Sequence, residues 1–294
     1  MLLGAFSFAT MSSLVHTLGL TGRFDWQVIA IARTFLAMIF AAGLATTSGV
    51  RLVFFRPRVL WMRSIAGSLA LVSGFYSLTK LPVAEVLTLT NMFPIWVAVL
   101  SWPLLRIRPT REVWIAVACG AVGVVVMQSD HLSPIAPRPD ATVTNEYVWL
   151  IASASSLFSA FALLGLHQLH RLDARAVVAH FSAVSLAFCV AALFVFPHKP
   201  VEEYVFDANS LLMLLGVGVT ATIGQILLTK AFTAGNPAKV SVVGLSQVAF
   251  AMLFDVLFFN QSFKSHTLLG IALIVAPSAW LLLRRGRPIT PPAE

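Results

Sequence analysis

Charge is what this sequence has least of. Only 11% of its 294 residues are charged, against about a quarter in ordinary soluble domains. So few charges cannot clothe a water-facing surface of that size, which makes lipid the natural solvent. Cysteine is almost as scarce. Cys119 and Cys189 both lie inside apolar runs with no ligand spacing around them, which excludes a disulfide framework and a zinc site. There is no Gly-rich phosphate loop ending in Lys-Ser or Lys-Thr and no polar segment large enough to house a nucleotide domain. The opening stretch MLLGAFSFAT lacks a basic n-region and a small-residue cleavage site, so it reads as a first helix beginning at Met1 rather than a cleaved leader.

What is abundant is apolar: hydrophobic residues make up 58% of the chain and the mean hydropathy is +0.87. Ten runs are long enough to cross a hydrocarbon core as helices, the one open-chain structure that satisfies its own backbone there. They fall at Met1–Leu20, Trp26–Thr47, Val59–Leu78, Ala84–Leu104, Val113–Gln128, Tyr147–Leu169, Ala174–Phe196, Ser210–Phe232, Pro237–Phe259 and Ser265–Leu283. The expected fold is an all-α membrane protein of ten transmembrane helices. Pro57, Pro82, Pro109, Pro197 and Pro237 mark boundaries, where a missing N–H does least harm.

The net charge of +8 does not point to nucleic acid, because the cations sit in short spacers rather than on one face of a soluble domain. Alternate spacers separate them cleanly. One set holds Arg51, Arg56, Arg58, Arg63, Arg106, Arg108, Arg111, Arg171, Arg175, Lys230, Lys239, Arg284, Arg285 and Arg287; the other holds Arg23, Lys80, Arg138, Lys199 and Lys264. With Arg33 left over, the division is 14 to 5 among 20 cations. The positive-inside rule then places both termini in the cytoplasm of a multi-pass protein of the cytoplasmic (inner) membrane.

The proline-bearing spacer 129–146 divides the chain into residues 1–128 and 147–283, followed by a basic cytoplasmic tail at 284–294. Sliding the sequence on itself by 238 − 84 = 154 residues brings Thr79 onto Thr233, Ala84 onto Ala238, Val86 onto Val240 and Ala118 onto Ala272. Two halves of five helices each must insert with opposite orientation, so the expectation is an inverted repeat joined by an external linker.

The stretch FYSLTKLPVAEVLTLTNMFPIWVAVLSWPLLRIRPT (75–110), its counterpart QILLTKAFTAGNPAKVSVVGLSQVAFAMLFDVLFFNQSF (225–263), the closing LLGIALIVAPSAWLLLRR, and FATMSSLVHTLG with AIARTF near the start together resemble the drug/metabolite transporter superfamily, specifically its EamA-type ten-helix members. That resemblance implies secondary transport of a small organic metabolite by alternating access. The implied substrates are amino-acid-like or nucleotide-like molecules, vitamins or drugs, with export ahead of import. The chain departs from the pattern where many members carry Gly-Glu after helices four and nine: here stand Arg106–Ile107 and Asn260–Gln261. Where some relatives have Lys in the first helix, this one has His16.

Ionised groups within a bilayer are expensive and call for a reason. By position, only Arg33 and Asp255 meet that description. Arg33 could bind a carboxylate or snorkel to headgroups; Asp255 and His16 could carry protons or sit at the interface. Asn91 and Gln247 fall within two positions of each other under the 154-residue shift, with Thr88, Thr90 and Ser246 nearby. A substrate site and plain interhelical bonding fit them equally. Gln225 and Ser12 are further polar candidates; Tyr76, Trp96, Phe158 and Phe161 could wall a cavity or face lipid. Gly67, Gly74, Gly120, Gly123, Gly216 and Gly218 offer close helix contacts.

An intramembrane enzyme would need clustered acid–base or metal ligands, and His167 with His170 has nothing to complete it. A channel would need a filter loop or charge rings. The expected protein is therefore not an enzyme and needs no cofactor, metal or nucleic acid. Its partners are a small-molecule substrate, the lipid bilayer and a coupling proton or counter-substrate, and a monomer suffices.

Overall fold

The computed structural model describes residues 1–78, 86, 89–127, 145–259 and 265–283. Among these, all regular structure is helical: α1 (Leu2–Leu20), α2 (Trp26–Thr47), α3 (Arg58–Leu78), α4 (Phe93–Leu105), α5 (Arg111–Met127), α6 (Asn145–Gln168), α7 (Ala174–Val195), α8 (Ala208–Ala234), α9 (Pro237–Gly244), α10 (Ser246–Phe259) and α11 (Ser265–Leu283), with one 3₁₀ turn at Val201–Glu203. Seven segments are long and apolar enough to cross a bilayer, counting the stretch Pro237–Phe254 as one; Phe93–Leu105 and Leu268–Leu281 are shorter apolar helices. Linker residues 129–144 and the basic tail lie outside the described residues, as do Lys80, Pro82 and Thr88, while residues 145 and 146 already belong to α6.

Local chemistry fixes several ends. The Asp173 carboxylate accepts the Arg175 N–H at 2.8 Å, and Asp207 accepts the Ser210 N–H at 2.9 Å, capping α7 and α8. The Asn236 side-chain oxygen accepts from the backbone of Ala238 and Lys239 just ahead of Pro237, the first residue of α9. Gly22 and Gly49 take positive φ in the turns after α1 and α2.

The helices pack chiefly across the division between residues 1–127 and 145–283. The most extensive contacts are α3 on α6, α1 on α8, α2 on α7, and α5 on α11; then come α3 on α7, α2 on α8, α1 on α10, α4 on α6, and α4 on α9. Exchanging the first five spans for the last five maps this set onto itself. A hydrogen bond repeats across it as well. The Ser7 hydroxyl on α1 donates to the Thr220 carbonyl on α8 at 2.8 Å, and the Ser155 hydroxyl on α6 donates to the Ala70 carbonyl on α3 at 2.9 Å. Small residues let these pairs close. A Cβ on Gly218 would sit 2.4 Å from Leu36 Cβ, and one on Gly123 would sit 2.9 Å from the Gly270 carbonyl oxygen. Outward-facing side chains such as Phe194, Leu150 and Leu212 are exposed and apolar, as lipid contact requires.

Two spans are broken where the sequence predicts continuous helices. In the fourth, residues 91 and 92 form a turn, with Met92 N–H donating to the Leu89 carbonyl at 3.3 Å and Ile95 N–H to the Met92 carbonyl at 3.0 Å. In the ninth, Leu245 N–H donates to the Val242 carbonyl at 3.0 Å and Val248 N–H to the Leu245 carbonyl at 2.9 Å. Both are three-residue steps in a four-residue ladder. They lie 245 − 92 = 153 residues apart, one position from the repeat offset. Pro94 accounts for the first, since its ring collides with the carbonyl four residues earlier and it has no N–H to give. No proline marks the second; Gly244, the poorest helix former available short of proline, precedes it.

Candidate functional site

A cavity of about 360 Å³ opens into the middle of the bundle. Its wall draws on spans one to four and six to nine, and α5 and α11 stand outside it. Most of the lining is apolar or small: Phe8 and Met11 from α1, Leu71, Gly74 and Phe75 from α3, Phe93 from α4, Leu163 from α6 and Leu228 from α8. The polar members are Arg33, Arg63, Thr90, Ser155, Ser159, Gln225 and Gln247. Both helix breaks border it, through Thr90 and Phe93 on one side and Gly244 and Gln247 on the other.

The cavity's cations come from opposite ends of the bundle. Arg33 lies seven residues into α2, and Arg63 five residues into α3; at about 1.5 Å per residue these are depths of roughly 10 and 8 Å along consecutive spans, which cross the bundle in opposite directions. Arg63 is 2% exposed. Its Nη2 donates to Gln225 Oε1 at 3.2 Å, and its guanidinium carbon lies 3.7 Å from the centre of the Phe181 ring. Nε and Nη1 are buried without a partner among the described residues. Gly67 makes the stack sterically feasible, because a Cβ there would fall 2.7 Å from Phe181 Cε2 and 3.3 Å from Arg63 Nη1. Arg33 makes no hydrogen bond or ion pair among the described residues. No carboxylate lines the cavity among them either.

The sequence-based expectation that Arg63 belongs to the loop cations is corrected here. It sits inside the bundle, so the cation division becomes 13 to 5, and intramembrane charge is not confined to Arg33 and Asp255. A signal was available: Arg63, Gly67, Ala70 and Gly74 fall at spacings of four, three and four, the same face of α3 that lines the cavity. His180 also escaped notice. It is buried on α7, where Nε2 donates to the Phe54 carbonyl at 3.1 Å, leaving Nδ1 to accept the Ser64 hydroxyl at 2.8 Å. Alongside, the Ser68 and Ser185 hydroxyls meet at 2.8 Å. These bonds lock α3 to α7 behind the cavity wall.

Of the candidates named from sequence, the cavity brings together Arg33, Thr90, Gln225 and Gln247. The others fall elsewhere. Asn91 lies in the turn beside the cavity and does not line it. Ser246 is buried, its hydroxyl donating to the Val243 carbonyl at 2.7 Å. Trp96 is partly exposed and its indole N–H donates to Ser156 Oγ at 3.0 Å. Tyr76 packs against Phe196, ring centres 4.7 Å apart. His16 is exposed on α1, and Ser12, Phe158 and Phe161 are half-buried away from the lining. Asp255 lies on α10, but its side chain, like Thr88, is outside the described residues. Among the described residues, no three His, Cys, Asp or Glu side chains cluster as a metal would need.

A polytopic helical bundle around a central cavity walled from both sides of the chain's midpoint is the build of a membrane carrier. The chain belongs to the EamA-like transporter family, whose model matches residues 1–128 and 145–283, and it is a multi-pass membrane protein that transports a small molecule. It is 26% identical over 279 residues to the pseudopaline exporter CntI of Pseudomonas aeruginosa, covering 93% of this chain and 91% of that one. It is 24% identical to an uncharacterized transporter of Helicobacter pylori, covering 76% and 73% respectively. Protein PecM of Dickeya dadantii is 26% identical, with coverage of 77% and 76%. A solved crystal structure superposes with a TM-score of 0.81 at 18% identity, over 96% of both chains, and shares the fold.

Proposed function

We propose that this protein is a secondary transporter of a small organic metabolite across the cytoplasmic membrane, working by alternating access with export as its direction. The single observation that carries this reading is the cavity, walled by eight spans and bordered by paired helix breaks. Broken helices near mid-span, one in each half of the chain, are the pattern of carriers built from inverted repeats. The self-mapping helix contacts and the matching Ser7 and Ser155 bonds support two related five-helix halves. The 13 to 5 distribution of cations supports opposed insertion of the halves, with both termini cytoplasmic. Export is favoured by the likeness to the pseudopaline exporter. Coupling to a proton or a counter-solute supplies the energy, since the sequence contains no nucleotide-binding motif.

Solute counterflow in proteoliposomes tests this. Vesicles preloaded with pooled amino acids, nucleosides, vitamins or drugs should accumulate labelled solute with saturation, and Gln247→Ala should slow the flux while inserting normally. Uptake that rises linearly with concentration would indicate a channel instead.

A further inference from the structure

Arg63 stands out in the molecule: a buried guanidinium inside a membrane bundle with no acidic partner among the described residues. One contact with Gln225 and the face of Phe181 occupy part of it, while the N–H groups on Nε and Nη1 have no partner among the described residues. Those are three of the five donors an arginine carries. Buried polar groups are ordinarily satisfied, and an orphaned charge at membrane depth marks a place where something else supplies the acceptor. The second cation on the same wall, Arg33, likewise has no ion pair among the described residues.

We propose that Arg63 and Arg33 form an organic-anion site, and that the transported solute carries a carboxylate on an apolar body. This rests on the transport reading above. One π face of Arg63 is taken by Phe181, and the unpartnered donors on Nε and Nη1 lie along its in-plane edges, which a planar carboxylate fits. Phe8, Phe75 and Phe93 supply an apolar wall for the rest of the solute. Gln225 is a positioning residue: it holds one guanidinium nitrogen, so that the remaining donors keep a fixed direction. Because the two arginines enter from opposite ends of the bundle, the anion has a cationic partner toward either side of the membrane.

The test is equilibrium binding, read as thermal unfolding of the purified full-length protein in detergent at constant ionic strength. The probes are phenylacetate, glutarate and glutamate, with neutral phenylacetamide, cationic phenethylamine and phenyl phosphate as contrasts. Phenylacetate should raise the melting temperature saturably and its amide should not. Arg63→Gln and Arg33→Gln should each weaken the apparent affinity at least tenfold, with Arg63→Lys recovering part. Should Arg63→Gln fail to fold, Arg33→Gln and Gln225→Ala carry the same comparison. Equal stabilisation by the amide, an unchanged response in both glutamine variants, or no response to any carboxylate would overturn the site. A response to phenyl phosphate alone would overturn the carboxylate assignment. Binding is read without flux, so carboxylate binding with no counterflow would sink the transport reading alone, whereas counterflow of some other solute by a protein indifferent to carboxylates would sink the anion site alone.

Discussion

Arg63 Nη2 lies 3.2 Å from Gln225 Oε1, joining α3 to α8 across the cavity wall. The two residues are 162 positions apart, and each compensates for the other's burial. A hydrogen bond to a charged group contributes about 1.5–3 kcal/mol, and the larger cost falls on whichever partner is left buried alone. Gln225→Leu is therefore expected to destabilise the protein by about 2 kcal/mol. Combined with Arg63→Met it should cost much less than the sum of the two single changes. Detergent-phase thermal melts of the four proteins in this cycle measure the coupling, and strict additivity would show that the contact is incidental.

Three glycines on the packing faces should respond in graded order. A Cβ at Gly74 meets only Ser155 Oγ at 3.5 Å, an ordinary contact, so Gly74→Ala should change stability by less than about 0.5 kcal/mol. Gly67→Ala forces Phe181 and Arg63 apart and should cost about 1–3 kcal/mol. Gly218→Ala drives a methyl to 2.4 Å from Leu36 Cβ, an atom that no rotamer change can move aside, and should be the worst of the three. Melting temperatures in one detergent rank them directly.

Arg106 ends α4 with φ of 56°. That left-handed conformation disfavours any residue with a Cβ, and helix ends usually place glycine there. Arg106→Gly should stabilise the protein by up to about 1 kcal/mol, visible as a higher melting temperature. A loss of stability would mean that the arginine side chain makes a contribution exceeding the backbone strain.

Asp207 caps α8 and pairs with Arg23 at 2.6 Å, joining the turn after α1 to the start of α8. Its bonds from Ser210, then the Arg23 guanidinium, hold its carboxyl down at about 2. A carboxyl depressed on folding stabilises the fold fully above its unfolded value, near 4, and loses that contribution as pH falls toward its folded value. The difference in melting temperature between wild type and Asp207→Asn should therefore be constant from neutrality to about pH 5 and shrink toward zero by about pH 2. A difference that persists undiminished at low pH would assign the effect to shape rather than charge. Because both side chains are about two-fifths exposed, the effect should be modest and weaken with added salt.

Some of the site was written in the sequence and some was not. Arg33, Thr90, Gln225 and Gln247 could be named because polar groups in an apolar run stand out by cost alone. Arg63 was hidden by position: a cation near a predicted helix end looks like a topology signal, and only its shared face with Gly67, Ala70 and Gly74 distinguishes it. The break at Met92 was foreshadowed by Pro94, whereas the one at Leu245 has no comparable local cause. Trp96, Phe158 and Phe161 illustrate the reverse difficulty, since aromatic residues serve lipid, core and cavity alike and helical periodicity does not say which.

The sequence by itself determined the solvent, the helices and their approximate ends. Lipid tolerates few charges and no unpaired backbone, so twenty-residue apolar runs separated by proline and arginine allow little else. Only the tertiary structure decided which faces meet, and therefore that Arg63 and Arg33 share one cavity with Gln225 and Gln247. Between helices in a membrane the solvent is as apolar as the side chains, so hydrophobicity selects no partner. The choice falls to close contacts such as Gly218 on Leu36 and single bonds such as Ser7 to Thr220, which exist only once the helices have come together.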